Sequence, residues 1–222
     1  AFTVTTKESA LQFPRTLEIV QNVGLKRSIP LFASGQPESG DPAGGKAQPG
    51  ATLKLDADPA ALYLTWDMQG LNLVEDAAGV AVTAEINIDA RSYGKRLGHG
   101  VTEPLRVTAG AADSPGRIGS LPPWLFGNGY AARYNRDLAQ AMLSSRPDGS
   151  RRLTLMLPRS LFQLHEWALD NGNSQLGFGT RLSIWQPPDN KNPQGTTLSF
   201  TLFENGLHRD DVDSLAALEL TA

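Results

Sequence analysis

Residues 80–91 read VAVTAEINIDAR, and their alternation decides the fold class. Val80, Val82, Ala84, Ile86 and Ile88 fall on one side, while Ala81, Thr83, Glu85, Asn87, Asp89 and Arg91 fall on the other. Successive side chains leave a strand on opposite faces, so strict period two over this length predicts a half-buried β-strand. Its apolar side requires a core. Its polar side lines up carboxylates, an amide and a guanidinium.

The same rhythm recurs on both sides of this stretch. Leu53 and Leu55 alternate, then Leu62, Leu64, Trp66 and Met68, with Tyr63, Thr65 and Asp67 between them. Residues 69–79 read as the connection that makes this strand an antiparallel neighbour of 80–91, which would put Asp67 on one polar face with Glu85, Asn87 and Asp89. Further strands are expected at Leu17–Val20, Leu105–Val107, Leu153–Leu157, Leu176–Trp185 and Thr197–Phe203. Residues 34–50, SGQPESGDPAGGKAQPG, read as a surface loop. Residues 110–134 are loop-like, with an apolar knot at Leu121–Phe126.

Two short helices are expected. Leu138, Ala141 and Met142 share a helical face within Asp137–Leu143, and Pro147-Asp148-Gly149 would end it. Ser160-Leu161-Phe162-Gln163 has the form of a capping box ahead of Leu161–Leu169, with Asn171-Gly172 as its stop. The tail from Asp210 to Leu220 fits a helix or a closing strand. Many short strands, long Gly/Pro loops and minor helices predict an all-β fold: an antiparallel, jelly-roll-like β-sandwich, with residues 1–222 as a single domain.

Composition narrows the function. Of 222 residues, 40% are hydrophobic and 19% charged, enough to build a core, and the net charge is −3. An acidic chain with scattered basic residues argues against nucleic-acid binding, which needs a basic patch to neutralise phosphates. The pair Arg151-Arg152 reads as a solvated strand start. Without cysteine there are no disulfides, thiolate metal sites or cysteine nucleophiles. No apolar run approaches the length of a membrane span. The chain opens on Ala1 without an initiator Met and is rich in Gly, Pro, Asn and Thr, from which a secreted or envelope-associated, bacterial-type protein is expected.

Each catalytic motif fails on counting. Gly40–Lys46 has the spacing of a phosphate-binding loop, but Ala47 stands where the Mg²⁺-binding hydroxyl is needed. His165-Glu166 lacks the second histidine of a zinc-protease helix, because Leu169 fills that position. Gly172–Gly177 is one residue too long for a nucleophile elbow. Glu85 and Asp89 stand four residues apart on one strand, about 13 Å between Cα atoms at roughly 3.3 Å per residue. Glycosidase carboxylates need roughly 5 Å or 6.5–9.5 Å. That pair alone is therefore a poor dyad.

A surface that hydrogen-bonds sugar hydroxyls is easier to build, from Asp67, Glu85, Asn87, Asp89 and Arg91. Trp66 belongs to the core by its alternation. Trp124, in a loop beside two prolines, and Trp185, opposite Leu182 and Ile184, are the candidates to stack on the apolar face of a pyranose. No cofactor is required, although Asp170–Asn173 and Asp210–Asp213 could supply hard oxygen ligands to a structural calcium.

Residues 151–184 resemble the later half of bacterial family 9 carbohydrate-binding modules. The matching residues are Leu153-Thr154-Leu155-Met156-Leu157-Pro158, a strand ending in Leu-Pro, and the re-entering Gln175-Leu176-Gly177-Phe178. Leu62–Met68 followed by Val80–Asp89 also resembles that family's paired strands. The resemblance implies a β-sandwich that binds polysaccharide without catalysis. The chain departs from the family in its opening and in the longer helix at Leu161–Leu169, and none of its four tryptophans aligns with the family's facing pair. The alternatives are a polysaccharide hydrolase or lyase using Asp67, Glu85 or His165 as acid and base, and an interaction module of an envelope assembly docking through Leu121–Phe126 or a sheet edge.

Overall fold

A computed structural model describes residues 25–33, 50–58, 60–89, 105–120, 139–159, 175–190, 192–202, 207 and 216–220. They form strands β1 (Leu25–Ala33), β2 (Gly50–Ala57), β3 (Ala61–Gln69), β4 (Val82–Asp89), β5 (Leu105–Ala109), β6 (Ser114–Pro115) and β7 (Arg117–Ser120). These are followed by β8 (Gln140–Ser145), β9 (Arg151–Pro158), β10 (Gln175–Gln186), β11 (Thr196–Leu202) and β12 (Ala216–Glu219). All pairings are antiparallel.

Two sheets result. One runs β6-β8-β9-β3-β2-β1, and the other runs β1-β11-β10-β4-β5-β7 with β12 also on β10. β1 serves both: Leu25 to Leu31 pair with β2, and Phe32 and Ala33 pair with β11. At the opposite side the chain crosses between sheets at Gly116, whose N–H donates to the Ala141 carbonyl on β8. The two ends of the strand order are thus consecutive in sequence, and the sandwich is stitched along both long edges.

Alternation fixes which face of each strand is buried. Leu53, Leu55, Leu62, Leu64, Trp66, Met68, Leu153, Leu155 and Leu157 from the first sheet meet Val82, Ala84, Ile86, Ile88, Leu176, Phe178, Leu182 and Ile184 from the second in one core. Each fully buried Leu, Ile or Phe contributes on the order of 1.5–3 kcal/mol by leaving water. The predicted antiparallel β-sandwich is the observed fold.

Several local expectations are corrected. β3 and β4 are not neighbours: β3 pairs with β2 and β9, and β4 pairs with β10 and β5. Residues 70–80 carry the chain from one sheet to the other, so both strands turn their apolar sides to the same core from opposite layers. In place of a helix at Asp137–Leu143, residues 140–145 form β8, with Ala141 and Leu143 buried and Met142 outward. Pro147-Asp148-Gly149 is then the tip of a hairpin to β9. Gly149 adopts φ +80°, Arg146 N–H donates to the Ser150 carbonyl, and Asp148 Oδ1 accepts from Ser150 N–H and Oγ–H.

The stretch read as loop from residue 110 contains β6 and β7. The tail closes as a strand, β12 on β10. Leu17–Val20, the Leu161–Leu169 helix, the Leu121–Phe126 knot and all but the last residue of the 34–50 loop lie outside the described residues.

Candidate functional site

The outer face of the second sheet carries most of the predicted polar residues. Because Val82, Ala84, Ile86 and Ile88 of β4 face the core, Thr83, Glu85, Asn87 and Asp89 project the other way. Strand register sets their neighbours. Across the face run Gly119 on β7, Arg106 on β5, Glu85 on β4, Arg181 on β10 and Thr201 on β11. The next row is Arg117, Thr108, Thr83, Ser183 and Ser199.

Glu85 is the hub of the first row. Its Oε1 accepts from Arg106 Nε at 3.1 Å and Nη2 at 2.7 Å, and its Oε2 accepts from Arg181 Nη1 at 3.3 Å. One carboxylate therefore sits between two guanidiniums, with Arg106 nearly half exposed. The backbone beneath is fixed from the core side, where the buried Thr180 hydroxyl donates to the Glu85 carbonyl at 2.9 Å.

Further along β4, Asn87 and Asp89 are only 1% and 0% exposed, although both have outward parity. Their cross-strand partners on β10 are Gly179 and Gly177, which carry no side chain to screen them. Both polar groups engage in additional interactions. As placed, they are shielded from solvent, unlike the partly exposed Glu85.

Trp185 lies on this same outer face, as its opposition to Leu182 and Ile184 predicts, and is half-buried. Gly195, at φ +76° in the turn before β11, packs directly on the indole: a Cβ there would come within 2.5 Å of Cζ2 and Cη2. Trp185 N–H donates to the Ala81 carbonyl at 3.1 Å, which fixes the backbone beneath the ring. The hydroxyls of Ser183 and Ser199 share a hydrogen bond at 3.2 Å beside it. The face thus combines an aromatic ring, hydroxyls and charged groups.

Asp67 is on the opposite outer face, on β3. Arg152 binds it through Nε to Oδ1 at 2.6 Å and Nη2 to Oδ2 at 2.9 Å, Lys54 reaches Oδ2 at 2.8 Å, and Arg146 reaches Oδ1 at 3.4 Å. Burial pushes the Asp67 carboxyl up, but hydrogen bonds from Arg152 and Lys54 and their charges outweigh it and bring the pKa down to about 2. The Arg152 guanidinium is held more firmly protonated by its hydrogen bond to Asp67. Arg151 and Arg152 are accordingly not a solvated pair. Arg152 grips Asp67, and Arg151 reaches Ser145 Oγ at 2.8 Å and the Ala111 carbonyl.

Asp67 therefore does not join Glu85, Asn87 and Asp89, because β3 and β4 belong to different layers. Trp66 is wholly buried, as expected. Arg91, Trp124 and His165 lie outside the described residues, as do both calcium-candidate loops. Among the described residues no three His, Cys, Asp or Glu side chains group closely enough to hold a metal ion. Sequence reasoning missed Arg106, Arg181 and Gly119. The outward position of Arg106 between Leu105 and Val107 was readable, but its partnership with Glu85 depends on register between strands far apart in sequence.

No protein-family model matches this chain, and no curated protein is significantly similar to it. Solved structures do resemble it. A family 9 carbohydrate-binding module from Caldicellulosiruptor kristjanssonii in complex with cellotriose superposes with a TM-score of 0.52 at 14% identity, covering 87% of this chain and 81% of that one. A family 9 module from the same organism in complex with glucose gives 0.51 at 13% identity, covering 86% and 81%. Likeness at such low identity reflects shared architecture. The chain has the β-sandwich fold of family 9 carbohydrate-binding modules.

Proposed function

We propose that this chain binds carbohydrate without catalysing its breakdown, as a secreted or envelope-associated protein. The observation that carries this reading is the fold likeness over most of the chain to modules bound to cellotriose and glucose. Its own surface supports the reading: Trp185, Ser183, Ser199, Glu85 and Arg181 share one outer face, which gives a flat apolar ring beside donors and acceptors for hydroxyls. A hydrolase pairing Asp67 with Glu85 has no support in this arrangement, since the two carboxylates lie on opposite outer faces and each is held by arginines.

Affinity gel electrophoresis against soluble cellulose derivatives, xylan and mixed-linkage glucan tests the proposal. Retarded migration by at least one polysaccharide, reduced by Trp185→Ala, is the expected result. Unchanged migration in every gel contradicts it.

A further inference from the structure

We infer that the outer face of β7-β5-β4-β10 holds a subsite for the carboxylate of an acidic sugar unit, centred on Arg106. This rests on the carbohydrate-binding reading and narrows it to glycans bearing uronic acids.

Charge is the first observation. On a chain of net charge −3, the described residues of this face include Arg106 and Arg181 on either side of Glu85 and Arg117 in the next row, while the other carboxylate of β4, Asp89, is fully buried. Arg106 and Arg181 side chains are 46% and 32% exposed, and Arg117 is exposed. Arg106 spends Nε–H and one Nη2–H on Glu85 Oε1. A guanidinium has five N–H donors, so its fork keeps capacity for a planar carboxylate from outside. Glu85 holds that fork in place, which lowers the entropy lost when a ligand docks.

Space is the second observation, and it is independent of charge. Directly across from Arg106 on β7 stands Gly119, and Ile118 beside it packs on the core, so position 119 faces outward. A Cβ built on Gly119 meets no atom within 4 Å. The sheet therefore leaves open space beside the Arg106 strand position, with Arg117 two residues before Gly119 on the same strand. Trp185 lies four residues along β10 from Arg181, roughly 13 Å by strand rise. That span suits an oligosaccharide that stacks one unit on the ring while another reaches the arginines.

Titration calorimetry with oligogalacturonate, a neutral cello-oligosaccharide of equal length and a sulfated oligosaccharide tests this on the intact chain. Oligogalacturonate is expected to bind more tightly than the neutral ligand, with the advantage shrinking as salt rises. Arg106→Gln should weaken the acidic ligand roughly two- to fivefold more than the neutral one. Gly119→Glu, whose Cβ meets open space and whose carboxylate would stand across from Arg106, should cancel the preference for the acidic ligand. Equal affinity for acidic and neutral ligands, a preference untouched by both substitutions, or stronger binding of the sulfated ligand overturns the subsite. In the first two cases binding of the neutral ligand leaves the carbohydrate reading standing. Absence of binding to all three overturns the subsite, and together with unchanged migration in every polysaccharide gel it removes the carbohydrate reading as well.

Discussion

Asp67 accepts hydrogen bonds from Arg152 through both carboxylate oxygens and is approached by Lys54 and Arg146 from two further segments. Its pKa in the folded chain is about 2, below the ordinary 3.8. A depressed carboxylate stabilises the fold at pH values above its unfolded pKa, and the benefit is lost as pH falls through the folded pKa. The difference corresponds to about 2 kcal/mol at neutral pH. Asp67→Asn should therefore cost about 2 kcal/mol at pH 7 by urea unfolding, because three cations lose their shared anion. The gap between variant and parent should close by about half at pH 3. A gap independent of pH would refute the ion-pair account. None of this was legible in the sequence beyond an outward Asp67, because its partners come from β2, β9 and the β8–β9 turn.

A second residue, Gly195, tests the support of the indole. At φ +76° it sits where other residues are strained, and its surface is pressed on Trp185. Gly195→Ala should displace the ring, read as a changed tryptophan emission maximum together with a loss of about 1 kcal/mol or more. Unchanged emission would mean that Trp185 is held by other contacts.

At the scale of elements, the crossing from β6 to β7 depends on Gly116. A Cβ there would lie 2.7 Å from Ala141 Cβ and 3.1 Å from Val107 Cγ1, while its N–H serves the Ala141 carbonyl. Gly116→Val should cost about 2 kcal/mol or more by overpacking this seam, whereas Gly119→Ala, three residues on and facing open space, should unfold within about 0.5 kcal/mol of the parent. Thermal unfolding of the two variants side by side decides it, and equal losses would contradict the crossing as described.

Legibility differed between elements for physical reasons. β4 and β3 announce themselves because one face is apolar and the other polar through the whole strand. β8 was misread because Leu138, Ala141 and Met142 happen to satisfy a 3.6-residue spacing, while its true signal is the short alternation of Ala141, Met142, Leu143 and Ser144. β1 was missed because Pro30 and the Lys26-Arg27 pair interrupt its apolar rhythm. Its place between the two sheets tolerates Pro30, whose missing N–H is easiest to accommodate where a strand changes partners.

For the whole molecule, the sandwich was readable and its wiring was not. Alternation says which side of a strand is buried, but it does not say which strand lies next to it. β3 and β4, consecutive in sequence, look like antiparallel neighbours until the layers are seen. Because both layers share β1 and one core, the described strands should unfold together. Phe178→Ala, at a fully buried site between the layers, should lower stability by about 3–5 kcal/mol and still give one transition by both circular dichroism and tryptophan fluorescence. Separate transitions by the two probes would show that the layers fold independently.

Whether this sandwich binds sugar, as proposed, is decided by calorimetric titration of the purified chain with a neutral cello-oligosaccharide and with oligogalacturonate. Saturable heat with at least one of them, lost in Trp185→Ala while thermal stability is kept, is the expected result. Flat titrations with both at millimolar concentration, or undiminished heat in the Trp185→Ala variant, would overturn the reading.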